Sequence, residues 1–134
     1  MSAERRAFPR AKFKWPVVVK SSERSLEGVT LNVGPDGVFI GCKKPLKLNE
    51  VIEMTISIPK SDHVIKATGE VVWSNIYGPD DDISPRGMGV KFTKISGEDR
   101  KFIAKATLGN LKSLDVDPDL LKTLSTLILD LSED

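Results

Sequence analysis

The sequence predicts a mainly β fold, a small six-stranded antiparallel barrel with C-terminal α-helices. Three observations predict it. Between Trp15 and Thr93, short runs rich in β-branched residues alternate apolar with polar positions, as strands with one buried face do. Clusters of Gly, Pro, Asn and Asp interrupt these runs, and those residues favour turns. After Ile95 the apolar spacing changes to three and four residues, the period of a helix.

The first strand is expected over Trp15–Lys20, with Val17, Val18 and Val19. The second, Leu26–Val33, sets Val29, Leu31 and Val33 against Thr30 and Asn32. Gly34-Pro35-Asp36-Gly37 is a turn leading to a third strand, Gly37–Cys42. Val51–Ile58 alternates Ile52, Met54, Ile56 and Ile58 with Glu53, Thr55 and Ser57. Val64–Ser74 and Gly87–Thr93 complete the set, and short strands at this spacing suit a sandwich or barrel. Loops containing Pro59-Lys60-Ser61-Asp62 and Gly78-Pro79-Asp80-Asp81-Asp82 join them. Ser96-Gly97-Glu98-Asp99 opens a helix with a serine N-cap and early acids. Phe102, Ile103 and Ala106 share one face of it, and Gly109-Asn110 reads as a stop. Asp117-Pro118 starts a second helix, whose stripe is Leu120, Leu121, Leu124, Leu127, Ile128 and Leu131. This divides the chain into a flexible basic segment (1–14), a barrel with its helix (15–112) and an added amphipathic helix (113–134).

The composition excludes several classes. The chain has 134 residues, 40% hydrophobic and 29% charged, ordinary for one soluble domain. No apolar run approaches the roughly 20 residues of a membrane span, and the basic N-terminus has no secretory apolar stretch. The single cysteine, Cys42, excludes an internal disulfide and fits a reducing, cytoplasmic setting. One histidine, His63, and one cysteine are too few for a zinc site, and Asp80–Asp82 lacks the spacing of a calcium loop. His63 is expected at the surface, and the three aspartates in a solvated loop. No phosphate loop, serine elbow or paired-histidine motif supports an enzyme.

The net charge is +1, but it is unevenly spread. Arg5, Arg6, Arg10, Lys12 and Lys14 face only Glu4 among the first fourteen residues, whereas the last twenty carry six acids against Lys122. A basic head suits an anionic partner. The acidic tail and few aromatics argue against nucleic acid.

Two clusters carry the candidate chemistry. In Arg5-Arg6-Ala7-Phe8-Pro9-Arg10, Pro9 disfavours helix and extends Phe8. The arginines therefore lie on a stretched segment. An arginine fork binds phosphate oxygens or guanine O6 and N7 bidentately, and it stacks on bases. In Asn32-Val33-Gly34-Pro35-Asp36-Gly37, Asn32 offers donors and an acceptor. Gly34 and Gly37 permit close backbone approach and positive φ.

These residues resemble the PilZ domain family, whose pattern is RxxxR followed by [D/N]xSxxG on a six-stranded barrel. Arg6 and Arg10 match the first motif, with Arg5 as the doubled arginine; Asn32 and Gly37 match the ends of the second. Gly69–Trp73, Gly87–Phe92 and Ser96–Arg100 extend the likeness over about residues 4–108. The resemblance implies a cyclic di-GMP receptor with no catalysis, cofactor or metal, signalling to a downstream protein. Arg6 and Arg10 would grip guanine and phosphate, Arg5 would add a phosphate contact, and Asn32 would meet a guanine edge. Gly37 would allow close approach, and Trp73 is a secondary candidate. The chain departs from the pattern at Gly34, where the family has serine. The resemblance leaves open a degenerate adaptor that binds no nucleotide. The Leu120–Leu131 stripe is read as packing on its own domain, while Leu129, on the opposite face, opens the alternative of a homodimer or partner contact.

Overall fold

The computed structural model describes residues 8–81, 85–114 and 116–132. The strands are β1 (Pro16–Lys20), β2 (Ser25–Gly34), β3 (Gly37–Gly41), β4 (Val51–Ser57), β5 (Val64–Asn75) and β6 (Gly87–Ile95). Two helices follow, α1 (Gly97–Lys112) and α2 (Pro118–Ser132). The strands close into an antiparallel barrel in the order β1-β2-β3-β6-β5-β4, with β4 pairing back to β1. Closure removes every sheet edge. The fold is the one the alternation predicts.

Alternation also decides the core. Val17 and Val19, Val38 and Ile40, and Ile52, Met54 and Ile56 point inward and are buried. Polar partners such as Glu53 lie outside. Ile103 of α1 and Trp15 join the same cluster. Phe13 stacks on Trp15 at 4.6 Å, and Trp15 lies 6.5 Å from Phe102. These rings tie the segment before β1 to α1.

Ser96 caps α1 by accepting a 3.0 Å hydrogen bond from the Asp99 amide. The expected stop at Gly109-Asn110 does not occur. The helix runs on to Lys112, because Leu111 is buried there, and Ser113 closes it with bonds to the Asn110 carbonyl. A buried leucine outweighs the modest cost of an internal glycine. Asp117 caps α2, accepting from the Asp119 amide at 3.0 Å. Leu124 and Leu127 are buried, Leu121, Ile128 and Leu131 are half-buried, and Leu120 and Leu129 are exposed. The packed stripe is thus narrower than the sequence suggests: Leu120, in the first turn, is not covered.

His63 is not a plain surface residue. Its ring stacks on Phe102 at 4.3 Å, and Nε2 lies 3.1 Å from Asp99 Oδ1. Arg86 gathers the loop after β5, donating to the carbonyls of Asn75, Ile76 and Gly78. No helix is long and apolar enough to cross a membrane, and no three His, Cys, Asp or Glu side chains converge on a metal position among the described residues.

Cys42 is half-buried, and that burial raises its thiol pKa, against a smaller opposing effect of Arg24. Less thiolate is then present at a given pH, and thiolate is the reactive form. Alkylation by iodoacetamide at pH 8 should therefore be slower for the folded protein than for the urea-unfolded chain. Equal rates would contradict the burial.

Candidate functional site

The segment before β1 is laid along β2. Ala11 and Val33 form an isolated bridge, with hydrogen bonds of 2.9 and 2.8 Å between their backbones. Further on, the Trp15 amide donates to Thr30 Oγ1 at 2.9 Å, and that hydroxyl donates to the Phe13 carbonyl at 2.6 Å. Thr30 is fully buried, so its hydroxyl is satisfied within the protein. These contacts aim Arg10 at the β2–β3 turn.

Arg10 lies across that turn with only 6% of its side chain exposed. Its Nη1 donates to Asn32 Oδ1 at 3.4 Å, and its Nε is 3.8 Å from Asp36 Oδ1. The two glycines make the room. A Cβ on Gly34 would stand 2.7 Å from Arg10 Cγ and 3.0 Å from the Pro9 carbonyl oxygen. A Cβ on Gly37 would stand 3.0 Å from Arg10 Nη2 and 2.3 Å from the Val90 carbonyl oxygen. Neither glycine has a positive φ, contrary to the reading that they permit one. Close approach alone requires them. The departure at position 34 thus has a local consequence: a serine there would push the Arg10 stem out of its seat.

The structure brings Arg10, Asn32, Gly34 and Gly37 together. Trp73 stands apart on β5, about 14 Å away across three strand spacings. Even so, it belongs to the same row of the outer wall: Asn32 pairs with Phe39, Phe39 with Gly89 and Gly89 with Trp73. Residues paired across strands share a face. The rings of Phe39 and Trp73 are 5.4 Å apart, tilted by 49°. Trp73 is 39% exposed. Phe39 is a wall residue the motif reading passed over. Its position was legible, because Val38 and Ile40 on either side of it face the core. Arg5 and Arg6 lie outside the described residues.

Phe8, between the two motif arginines, lies under α1: Arg100 Cζ is 5.5 Å from its ring centroid. Phe8 also borders a groove on α2 formed by Thr123, Thr126 and Leu127. Arg100 Nε donates to the Pro35 carbonyl at 3.3 Å. Arg100 therefore touches both the basic segment and the β2–β3 turn, a role the sequence did not signal.

The PilZ domain model matches residues 4–109. The chain belongs to the PilZ domain family. PilZ domains are receptor and adaptor domains for cyclic di-GMP, not enzymes. This PilZ domain resembles the structure of the Bacillus subtilis inhibitor of motility, MotI/DgrA, with a TM-score of 0.68 at 15% identity. The match covers 84% of this chain and 54% of that protein, so the chain spans about half of its length. The PilZ domain of CeSA from a cellulose-synthesizing bacterium matches with a TM-score of 0.48 at 12% identity, over 93% of this chain and 99% of that one. No curated protein sequence matches the chain.

Proposed function

We propose that this PilZ domain is itself a cytoplasmic cyclic di-GMP receptor that passes ligand binding to a partner protein. The observation that supports it best is the convergence of Arg10 and Asn32 on a glycine-flanked turn, at one end of an aromatic wall. Arg10, with Arg5 and Arg6 by position, holds phosphate and guanine. Asn32 takes a guanine edge, Gly34 and Gly37 leave room, and Trp73 flanks the far guanine. The ligand has two phosphates and two guanines, which suits a set of arginine forks.

The signal runs through Phe8. It sits between Arg6 and Arg10 and touches the surface of α1 and α2. Drawing the arginines onto ligand shifts Phe8 along that surface and so changes what α2 offers to a partner.

Calorimetric titration with cyclic di-GMP, beside a GTP control, tests the binding. Hydrogen exchange of residues 8–14 and of α2, with and without ligand, tests the coupling. The expected result is guanine-dinucleotide-specific binding with altered exchange in both segments. Phe8→Ala should keep the binding and lose the response in α2. A response in α2 that survives Phe8→Ala would exclude this route.

A second reading has its own observation. Gly34 replaces the family serine, and Arg10 is already seated. On that reading the domain is an adaptor that binds no nucleotide and works by protein contact. Absence of binding up to about 1 mM ligand, roughly −4 kcal/mol, would decide for it.

A further inference from the structure

An arginine that is to grip a ligand is usually left open to it. Here Arg10 is 6% exposed and its charge is already answered. The fork has two edges for a bidentate phosphate, one through Nε and one through the terminal nitrogens. Asp36 faces the first at 3.8 Å, and Asn32 accepts from the second at 3.4 Å. A phosphate that takes either edge displaces the side chain facing it.

Asp36 is the side chain placed for displacement. Its Oδ1 is buried and accepts no hydrogen bond among the described residues. At 3.8 Å the contact with Nε is Coulombic rather than a hydrogen bond. Burying a carboxylate oxygen in this way is costly, and the nearby guanidinium charge is what offsets it. The Asp36 side chain keeps 25% exposure, so it has a route to water. Gly34 completes the arrangement, because a Cβ there would stand 2.7 Å from Arg10 Cγ and displace the stem.

We infer that Asp36 is an intramolecular stand-in for ligand phosphate: it holds Arg10 against the β2–β3 turn until the phosphate replaces it, and so sets affinity. This rests on the receptor reading above. Asp36 contacts Arg10 only in the ligand-free protein. On binding, the carboxylate turns to solvent and Arg10 leaves its seat.

Two measurements on the full chain test this. The first is the rate of phenylglyoxal labelling of Arg10 without ligand, read by peptide mass spectrometry, with Arg24 as internal reference. The second is the cyclic di-GMP dissociation constant. Asp36→Asn keeps the size and removes the charge. It should speed labelling of Arg10 and tighten binding by about fivefold, the scale of a partly exposed ion pair. Gly34→Ser, which displaces the stem by sterics instead, should also speed labelling. Unchanged labelling in Asp36→Asn overturns the inference. So does tighter binding without faster labelling, since simple repulsion between carboxylate and ligand would then suffice. Binding that needs Arg10 but ignores Asp36 overturns the inference and leaves the receptor reading standing. No binding by any folded variant overturns both.

Discussion

Arg10→Ala should weaken cyclic di-GMP binding by at least about tenfold. A charge-assisted bond contributes roughly 1.5–3 kcal/mol, and about 1.4 kcal/mol is a factor of ten. Arg10 occupies the centre of the site, within reach of Asn32 and flanked by Gly34 and Gly37. Arg10→Lys should recover little, because an ammonium keeps the charge but cannot grip with a planar fork. Calorimetry on both variants reads the result, and circular dichroism confirms that they fold. Folding should survive. The backbone bridge of the neighbouring Ala11 to Val33 and the stack of Phe13 on Trp15 still hold the segment. Full affinity in Arg10→Ala would remove this residue from the site.

Gly37→Ala should strongly destabilise the barrel. The added methyl would stand 2.3 Å from the Val90 carbonyl oxygen, on the neighbouring strand β6, and 3.0 Å from Arg10 Nη2. A side chain could turn aside, but a paired strand cannot without breaking its ladder. Overpacking of this kind costs about 3 kcal/mol, which corresponds to a fall in Tm of about 10 °C. Gly109→Ala supplies the contrast. Gly109 lies inside α1 with nothing within 4 Å of its missing Cβ. The same methyl should there stabilise by about 0.5–1 kcal/mol. Thermal melts of the two variants should shift in opposite directions. A neutral Gly37→Ala would mean that β3 and β6 are free to separate.

The wall of the barrel shows why some of the site was legible and some was not. Period-2 alternation names the inward valines and isoleucines, and it leaves Phe39 on the outside between Val38 and Ile40. The glycines of Gly87-Met88-Gly89 read in sequence as one more motif. In the barrel they lie beneath the Phe39 ring, with a Cβ on Gly87 only 2.9 Å from Phe39 Cε1. Only strand pairing reveals that Asn32, Phe39, Gly89 and Trp73 form one row, since they come from four different strands. The length of α1 was misjudged for a similar reason: Gly109-Asn110 is a local stop signal, and Leu111 is held by tertiary burial.

By itself, the sequence determined the class of the fold, the order of its elements, the two capped helix starts and the family. Each depends on local periodicity, capping chemistry or short motifs, which neighbouring residues carry. Tertiary structure alone decided the state of the site. Arg10, read as a ligand grip on a stretched basic segment, is buried against a turn more than twenty residues away. Asp36, read as a turn former, is its counterion. His63, read as a surface residue, stacks on a helix thirty-nine residues further along. Charge pairing and burial depend on which strands and helices meet in space, and barrel closure brings those partners together across distances that no local pattern spans.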